Sequence, residues 1–205
     1  DEQSFHSALA SGMLIAAFIT FGLLASVAAP YGRYSSDSVF GVKCPLLLAR
    51  VAWVAMESPN LLWAAWCMRH ADKDCLSSPV NLILLGCFML HYLNRAIVFP
   101  LQMRGGKPMP AIVMALAMLF CTVNGYLQCR QLTKFRLYPE AWLTDPRFAV
   151  GLALFVAGMA ANLHADGILR GLRAPGETGY KIPRGGLFEV VSGANYAAEI
   201  LEWCG

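Results

Sequence analysis

PVNLILLGCFMLHYLNRAIVFPL, residues 79–101, decides the fold. The stretch exceeds the roughly 20 apolar residues that a helix needs to cross the hydrocarbon core of a bilayer, and its one formal charge, Arg95, lies near its end. Runs of the same kind flank it at about 7–29, 46–68, 108–129, 147–165 and 187–204. Composition agrees: 57% of the chain is hydrophobic and 14% is charged, whereas soluble domains carry roughly 25% charged residues. The expectation is an all-α, polytopic membrane helix bundle with five full spans and a sixth cut off by the end of the chain. Pro and Gly fall between the runs, as in RGGKPMP at 104–110, and no internal repeat or low-complexity tract interrupts them. Residues 1–205 are therefore read as a single integral-membrane domain.

The first residue is Asp1, not Met, and the last apolar run is still open near Gly205. The expectation is a fragment of a longer protein whose C-terminal part is missing. No basic segment precedes the first run and no small-residue cleavage site follows it, so it reads as an anchor and not as a removable signal. With the N-terminus outside the cytosol, the cytosolic loops hold Arg33, Lys43, Arg104, Lys107, Arg170, Arg173, Lys181 and Arg184, and the opposite side Arg69, Lys73, Arg130, Lys134, Arg136 and Arg147. That excess, though thin, sets the orientation. The net charge of +3 is spread over both sides with no basic run interleaved with aromatics, which points to lipid and away from nucleic acid.

The cysteines at 44, 67, 75, 87, 121, 129 and 204 form no CxxC, so no metal is expected. Cys67 and Cys75 flank one loop and could pair, but scattered thiols in or near helices are the plainer reading. There is no GxGxxG after a strand, no P-loop and no GxSxG. Any nucleotide must be held by helices and loops, and the Gly/Pro-rich loop at about 166–186 has the polar side chains for a cytosolic lid.

Three polar constellations stand out against the apolar background. Glu57 lies inside an apolar run, two residues before Pro59; a carboxyl at that depth faces a cavity or a partner, and desolvation favours its protonated, hydrogen-bond-donating form. A structural ion pair with Arg50 or Arg95 is the bland alternative. His91 and Tyr92 stand with Asn94 and Arg95 late in the third run, and neighbours on a helix point about 100° apart, so one of the two supports the other. Asn162, Asp166, Arg170 and Arg173 recur at steps of four, four and three, and Asn195, Glu199 and Glu202 at four and three, so each set shares one helix face. Polar glue between helices does not need this many charges; a large polar ligand such as a phosphate-bearing cofactor does.

AWVAMESPN, HYLNRAIVFP, RGGKPMPA, CTVNGYLQ, TDPRF, NLHADGILRGLRAPGETGYKIPRGGLF and VSGANYAAEILEW together resemble the steroid 5-alpha-reductase family, in order from about residue 45 onward. The resemblance implies a seven-helix fold in the endoplasmic reticulum membrane, NADPH as hydride donor with its site facing the cytosol, and 3-oxo-delta-4 steroids such as testosterone and progesterone as substrates. Carried over by position, it assigns Glu57 and Tyr92 to the steroid 3-oxo group, Trp53 and Met56 to substrate contact, and Asn162, Asp166, Arg173, Tyr180, Lys181, Asn195, Glu199 and Glu202 to NADPH. Met56 departs from the pattern, since the family commonly places Gln there, and Lys181 stands where Arg also occurs, which keeps charge and loses the planar fork.

Two readings compete from other classes. A membrane methyltransferase of the isoprenylcysteine type also joins a helical bundle to a cytosolic cofactor pocket and would take S-adenosylmethionine. A small proton-coupled transporter would use Glu57, Asp166 and Glu199 as a proton path, but no inverted repeat supports it.

Overall fold

The computed structural model describes residues 1–39, 41–172 and 181–205. They form two compact units, Asp1–Tyr138 and Pro139–Gly205. Both are built from helices; the strands are four two-residue pieces, β1 (Ser38–Val39), β2 (Val42–Lys43), β3 (Leu46–Leu47) and β4 (Met109–Pro110). Among the described residues, four helical segments are long and apolar enough to cross a membrane: Glu2–Ser26, Pro79–Gln102, Ala111–Phe135 and Pro146–Gly171.

In the first unit, α1 (Glu2–Ser26) has no buried residue. Phe18 and Phe21 are 70% and 77% exposed, and an all-round apolar surface of that kind belongs against lipid. Its first turns grip the rest of the unit. Glu2 binds Arg130 at 2.6 Å and Lys134 at 2.7 Å, and His6 Nε2 donates to the Leu127 carbonyl at 3.0 Å.

The centre of this unit is the pair α2 (Ala49–Arg69) and α6 (Ala111–Arg130). On α2 the buried residues are Ala52, Met56, Asn60, Ala64 and Cys67, a stripe at helical spacing whose small members admit a close neighbour. Gly125 answers from α6: a Cβ there would meet Asn60 Cα at 3.0 Å and Trp63 Cδ1 at 3.1 Å. Upstream, β3 pairs with β4, Leu46 opposite Pro110 and Leu47 opposite Met109, and sets the starts of the two helices side by side. Polar residues in α2, among them Arg50, Glu57, Ser58 and Asn60, dilute its apolar character. The fifth span expected over 46–68 is thus a helix of 21 residues that lies outside the four apolar ones.

The deciding stretch is one helical segment: α4 (Pro79–Leu93), a wider π turn at Asn94–Val98, then α5 (Phe99–Gln102). Pro100 explains the wide turn, because it has no N–H for the carbonyl four residues back, and the Phe99 N–H reaches to the Asn94 carbonyl instead. Such bulges re-aim neighbouring side chains. The short α3 (Lys73–Ser77) precedes α4. Asn81, 2% exposed, closes this end of the unit: its Nδ2 donates to the Leu132 and Arg136 carbonyls, each at 2.7 Å, and its Oδ1 accepts from the Tyr138 N–H at 3.0 Å.

The second unit is an antiparallel pair, α7 (Pro146–Gly171) and α8 (Ala194–Cys204). Gly158 makes their contact possible: a Cβ there would collide with the Glu202 backbone and with the Ala198 carbonyl at 2.8 Å. Asp145 caps α7 and is paired with Arg147, whose guanidinium holds the Asp145 carboxyl down at about 2. The truncated sixth span expected over 187–204 is a 3-10 turn at Gly186–Glu189 followed by α8, whose 11 residues reach about half of the roughly 30 Å hydrocarbon core. The loop expected from about 166 is helical through Gly171, because no proline breaks the chain before Pro175 and the buried face of Asn162, Ala165 and Asp166 outweighs the poor helix propensity of Gly167 and Gly171. The remainder of that loop from 181 packs back on α7: Phe188 joins Ala165, Ala194 and Ile168, and Gly186, at φ +52, sits so close to the His164 ring that a Cβ would meet it at 2.5 Å. Segment 173–180, with Arg173 and Tyr180, lies outside the described residues.

Candidate active site

Glu57 and Trp53 are four residues apart on α2 and so share a face. Trp53 Nε1 donates to the Tyr31 hydroxyl at 3.2 Å. Its ring meets Phe99 edge-on at 4.8 Å, and the Arg95 guanidinium lies 6.0 Å from the Trp53 ring and 5.3 Å from the Phe99 ring. Arg95 is only 4% exposed, so the π turn has carried a cation inward between aromatic rings, where the ring quadrupoles stabilise it. Arg50, the other proposed partner for Glu57, donates instead to the Met103 carbonyl at 2.7 Å. Met56 is buried with Ala52 and Met109.

The Glu57 carboxyl is half-buried and accepts from the Cys121 thiol, Sγ to Oε2 at 3.4 Å. One turn along α6, Asn124 Nδ2 donates to the Tyr92 hydroxyl at 2.9 Å and to Asn60 Oδ1 at 3.4 Å. Asn60 is fully buried, and its Nδ2 donates to the Glu57 backbone carbonyl at 3.4 Å. Tyr92 is 4% exposed, with its ring against Phe88 at 4.7 Å and His91 at 4.8 Å. The two groups that the sequence singled out, an acid on α2 and a phenol on α4, thus lean on one face of α6. A carboxyl, a phenol, a thiol and two amides converge in an otherwise apolar unit, and low polarity around them strengthens each hydrogen bond they make.

In the second unit, Asn162 and Asp166 are each 2% exposed on α7 and Glu202 is 1% exposed on α8. Asn162 Nδ2 donates to the Asn195 backbone carbonyl at 2.8 Å, which ties the two helices at the level of the polar faces. Asn195 and Glu199 are half-buried, Arg170 is half-buried near the end of α7, and Lys181 is exposed. Arg184 is largely exposed, 3.7 Å from Glu189. The spacing of four therefore did place Asn162 with Asp166 and Asn195 with Glu199. Glu202 belongs to the stripe of Ala194 and Ala198 that packs on α7.

Asn60, Cys121 and Asn124 were absent from the expected site. A signal existed: Asn60 follows Glu57 by three, and Cys121, Asn124 and Gly125 fall at steps of three and one in an apolar run, so each set shares a face. Nothing in that spacing says which helix it meets. The seven cysteines are free, Cys67 and Cys75 among them, and burial raises the Cys75 thiol above its ordinary range.

Comparison with known proteins bears on this arrangement. The family described as 3-oxo-5-alpha-steroid 4-dehydrogenase matches residues 107–205. The chain is 51% identical over 190 residues to 3-oxo-5-alpha-steroid 4-dehydrogenase 1 of Bos taurus, an alignment that covers 91% of this chain and 72% of the relative. It is 49% identical over 189 residues to the protein of the same name in Rattus norvegicus, with 92% and 71% covered. To 3-oxo-5-alpha-steroid 4-dehydrogenase 2 of Mus musculus it is 42% identical over 197 residues, with 96% and 76% covered.

Proposed function

The chain belongs to the 3-oxo-5-alpha-steroid 4-dehydrogenase family, and from that premise we propose that it is a membrane oxidoreductase that saturates the delta-4 double bond of 3-oxo steroids with NADPH as reductant. The observation that carries this reading is the convergence of Glu57 and Tyr92 on one face of α6. When bound, NADPH supplies the hydride that carbon 5 of the enone takes up. Negative charge then develops on the 3-oxo oxygen, and donors already held there stabilise the transition state more than the ground state. The Tyr92 hydroxyl and a protonated Glu57 carboxyl are the donors, and carbon 4 then gains a proton. Trp53 and the Arg95–Phe99 stack form an aromatic wall suited to a flat, apolar ring system.

For the cofactor, the second unit offers a donor set that fits a phosphorylated dinucleotide. Asn162, Asp166, Asn195 and Glu199 would take the ribose hydroxyls and the carboxamide, with Glu202 in support. Arg170, Lys181 and Arg184 would take phosphate charge, and Arg173 and Tyr180 join them by family position. On this reading the reductase sits in the endoplasmic reticulum membrane, with the nucleotide on the cytosolic side where the loop cations are richer. Membership of this family displaces the methyltransferase and transporter readings.

The test is direct. Full-length protein in membranes, given NADPH and testosterone, is expected to release the 5-alpha-reduced steroid, and Glu57→Leu to abolish the product while the protein remains folded. Absence of product from folded parent protein, or an unaffected Leu variant, would overturn the proposal.

A further inference from the structure

The amide of Asn124 has no role in the reaction as described so far, yet it is the group that touches Tyr92. Its orientation follows from a chain of forced choices. The Glu57 backbone carbonyl can only accept, so the end of the Asn60 amide turned to it, at 3.4 Å, is the nitrogen. Asn60 is 0% exposed, so its Oδ1 depends on protein donors. An amide oxygen only accepts, and the end of Asn124 that faces it at 3.4 Å is therefore Nδ2. That same nitrogen lies 2.9 Å from the Tyr92 hydroxyl. An amide nitrogen has no lone pair to offer, so the phenolic oxygen is the acceptor in this bond and its proton is directed away from Asn124.

We propose that Asn124, backed by Asn60, is a positioning residue that fixes the Tyr92 hydroxyl as a donor toward the substrate; the inference rests on the reading of Tyr92 as a donor to the 3-oxo group. A hydroxyl whose oxygen already accepts is also a stronger donor, because hydrogen bonds in series polarise one another. Gly125 holds the register of this relay. A Cβ at that position would come within 3.0 Å of Asn60 Cα and 3.2 Å of Asn60 Oδ1, so only glycine lets α6 bring the neighbouring Asn124 to Asn60 without displacing it.

The experiment is a double-mutant cycle in full-length protein, reconstituted in nanodiscs with NADPH and testosterone. Asn124→Asp and Asn124→Ala are each made in the parent and in Tyr92→Phe, and single-turnover rate, steroid KM and melting midpoint are read. Asp has the same shape but only accepts, so it reverses the bond and draws the phenolic proton away from the substrate. The expected result is a fall in rate of about tenfold or more for Asn124→Asp, with steroid KM moved less than about threefold and a smaller loss for Asn124→Ala. In the Tyr92→Phe background both substitutions should be nearly silent, because the group that they act through is gone. Equal losses in the two backgrounds would show that Asn124 only supports helix packing and would overturn the inference. Should Asn124→Asp fail to fold, the Ala arm of the cycle decides by the same criterion. A slow Tyr92→Phe with Asn124 variants at parental rate sinks this inference alone, whereas a fully active Tyr92→Phe sinks the reading of Tyr92 beneath it.

Discussion

Replacing Tyr92 with Phe removes one oxygen and leaves the ring. The ring contacts at 4.7 Å with Phe88 and 4.8 Å with His91 are retained, so no cavity larger than the hydroxyl forms. Among the bonds lost is the one accepted from Asn124 at 2.9 Å, and Asn124 Nδ2 keeps its second acceptor, Asn60 Oδ1. One net hydrogen bond contributes about 1 kcal/mol to stability, which in a chain of this size lowers the melting midpoint by about 2–4 °C. The loss in the chemical step is larger. A donor aimed at a developing oxyanion contributes about 3–4 kcal/mol, or a factor of about 10²–10³ in rate. The two effects therefore separate cleanly: reconstituted Tyr92→Phe should melt within a few degrees of the parent while single-turnover conversion of testosterone, with protein in excess, slows by at least about a hundredfold. A rate within about threefold of the parent at an unchanged midpoint would refute the reasoning and return Tyr92 to a packing role.

Glu57→Gln is expected to keep part of the activity, because the amide still donates, and Glu57→Leu to fall by about a hundredfold or more; chromatography of the steroid product checks the order, and equal turnover by all three proteins would exclude a donor role. Asn162→Leu removes the bond to the Asn195 carbonyl and should weaken NADPH binding by about tenfold with little change in steroid KM; unchanged affinity in a fluorescence titration would place the nucleotide elsewhere. Asn81→Leu strips partners from two carbonyls and one N–H in a buried setting, and a loss of about 2–4 kcal/mol is expected; Asn81→Asp should do no better, since a carboxylate cannot donate to the two carbonyls, and thermal melting of both variants reads the effect. Arg147 lowers Asp145 from 3.8 to about 2 in the folded chain, so the stability that this cap contributes is present above pH 3.8 and lost as pH falls through about 2. The difference in melting midpoint between the parent and Asp145→Asn should accordingly shrink between pH 5 and pH 2, and a constant difference would show that the charge is immaterial.

The polar faces at 162–166 and 195–199 are legible in the sequence, because a step of four returns to the same side of a helix whatever that helix packs against. The acid at 57 and the phenol at 92 were legible for a different reason: an ionisable or hydroxyl group in an apolar run is costly enough to demand an explanation. Asn60, Asn124 and Cys121 carry the same kind of signal, but their importance lies in pairings between α2, α4 and α6 that span 32 and 64 positions of the chain. Helix ends were the weakest expectation, as the extension of α7 through Gly171 shows; a glycine or polar residue in a sequence does not announce whether the preceding turn has stopped.

By itself the sequence determined that this chain is helical and lives in a bilayer, since long apolar runs with few charges belong in lipid and there satisfy their backbone groups within helices. Motifs spread along its length also determined its family. Tertiary structure alone decided which of the polar groups meet. The small residues that let helices touch, Gly125 against Asn60 and Gly158 against Ala198 and Glu202, are unremarkable in a linear reading. A hydrogen bond depends on distance and direction at the scale of tenths of an ångström, and that precision exists only after the helices have packed.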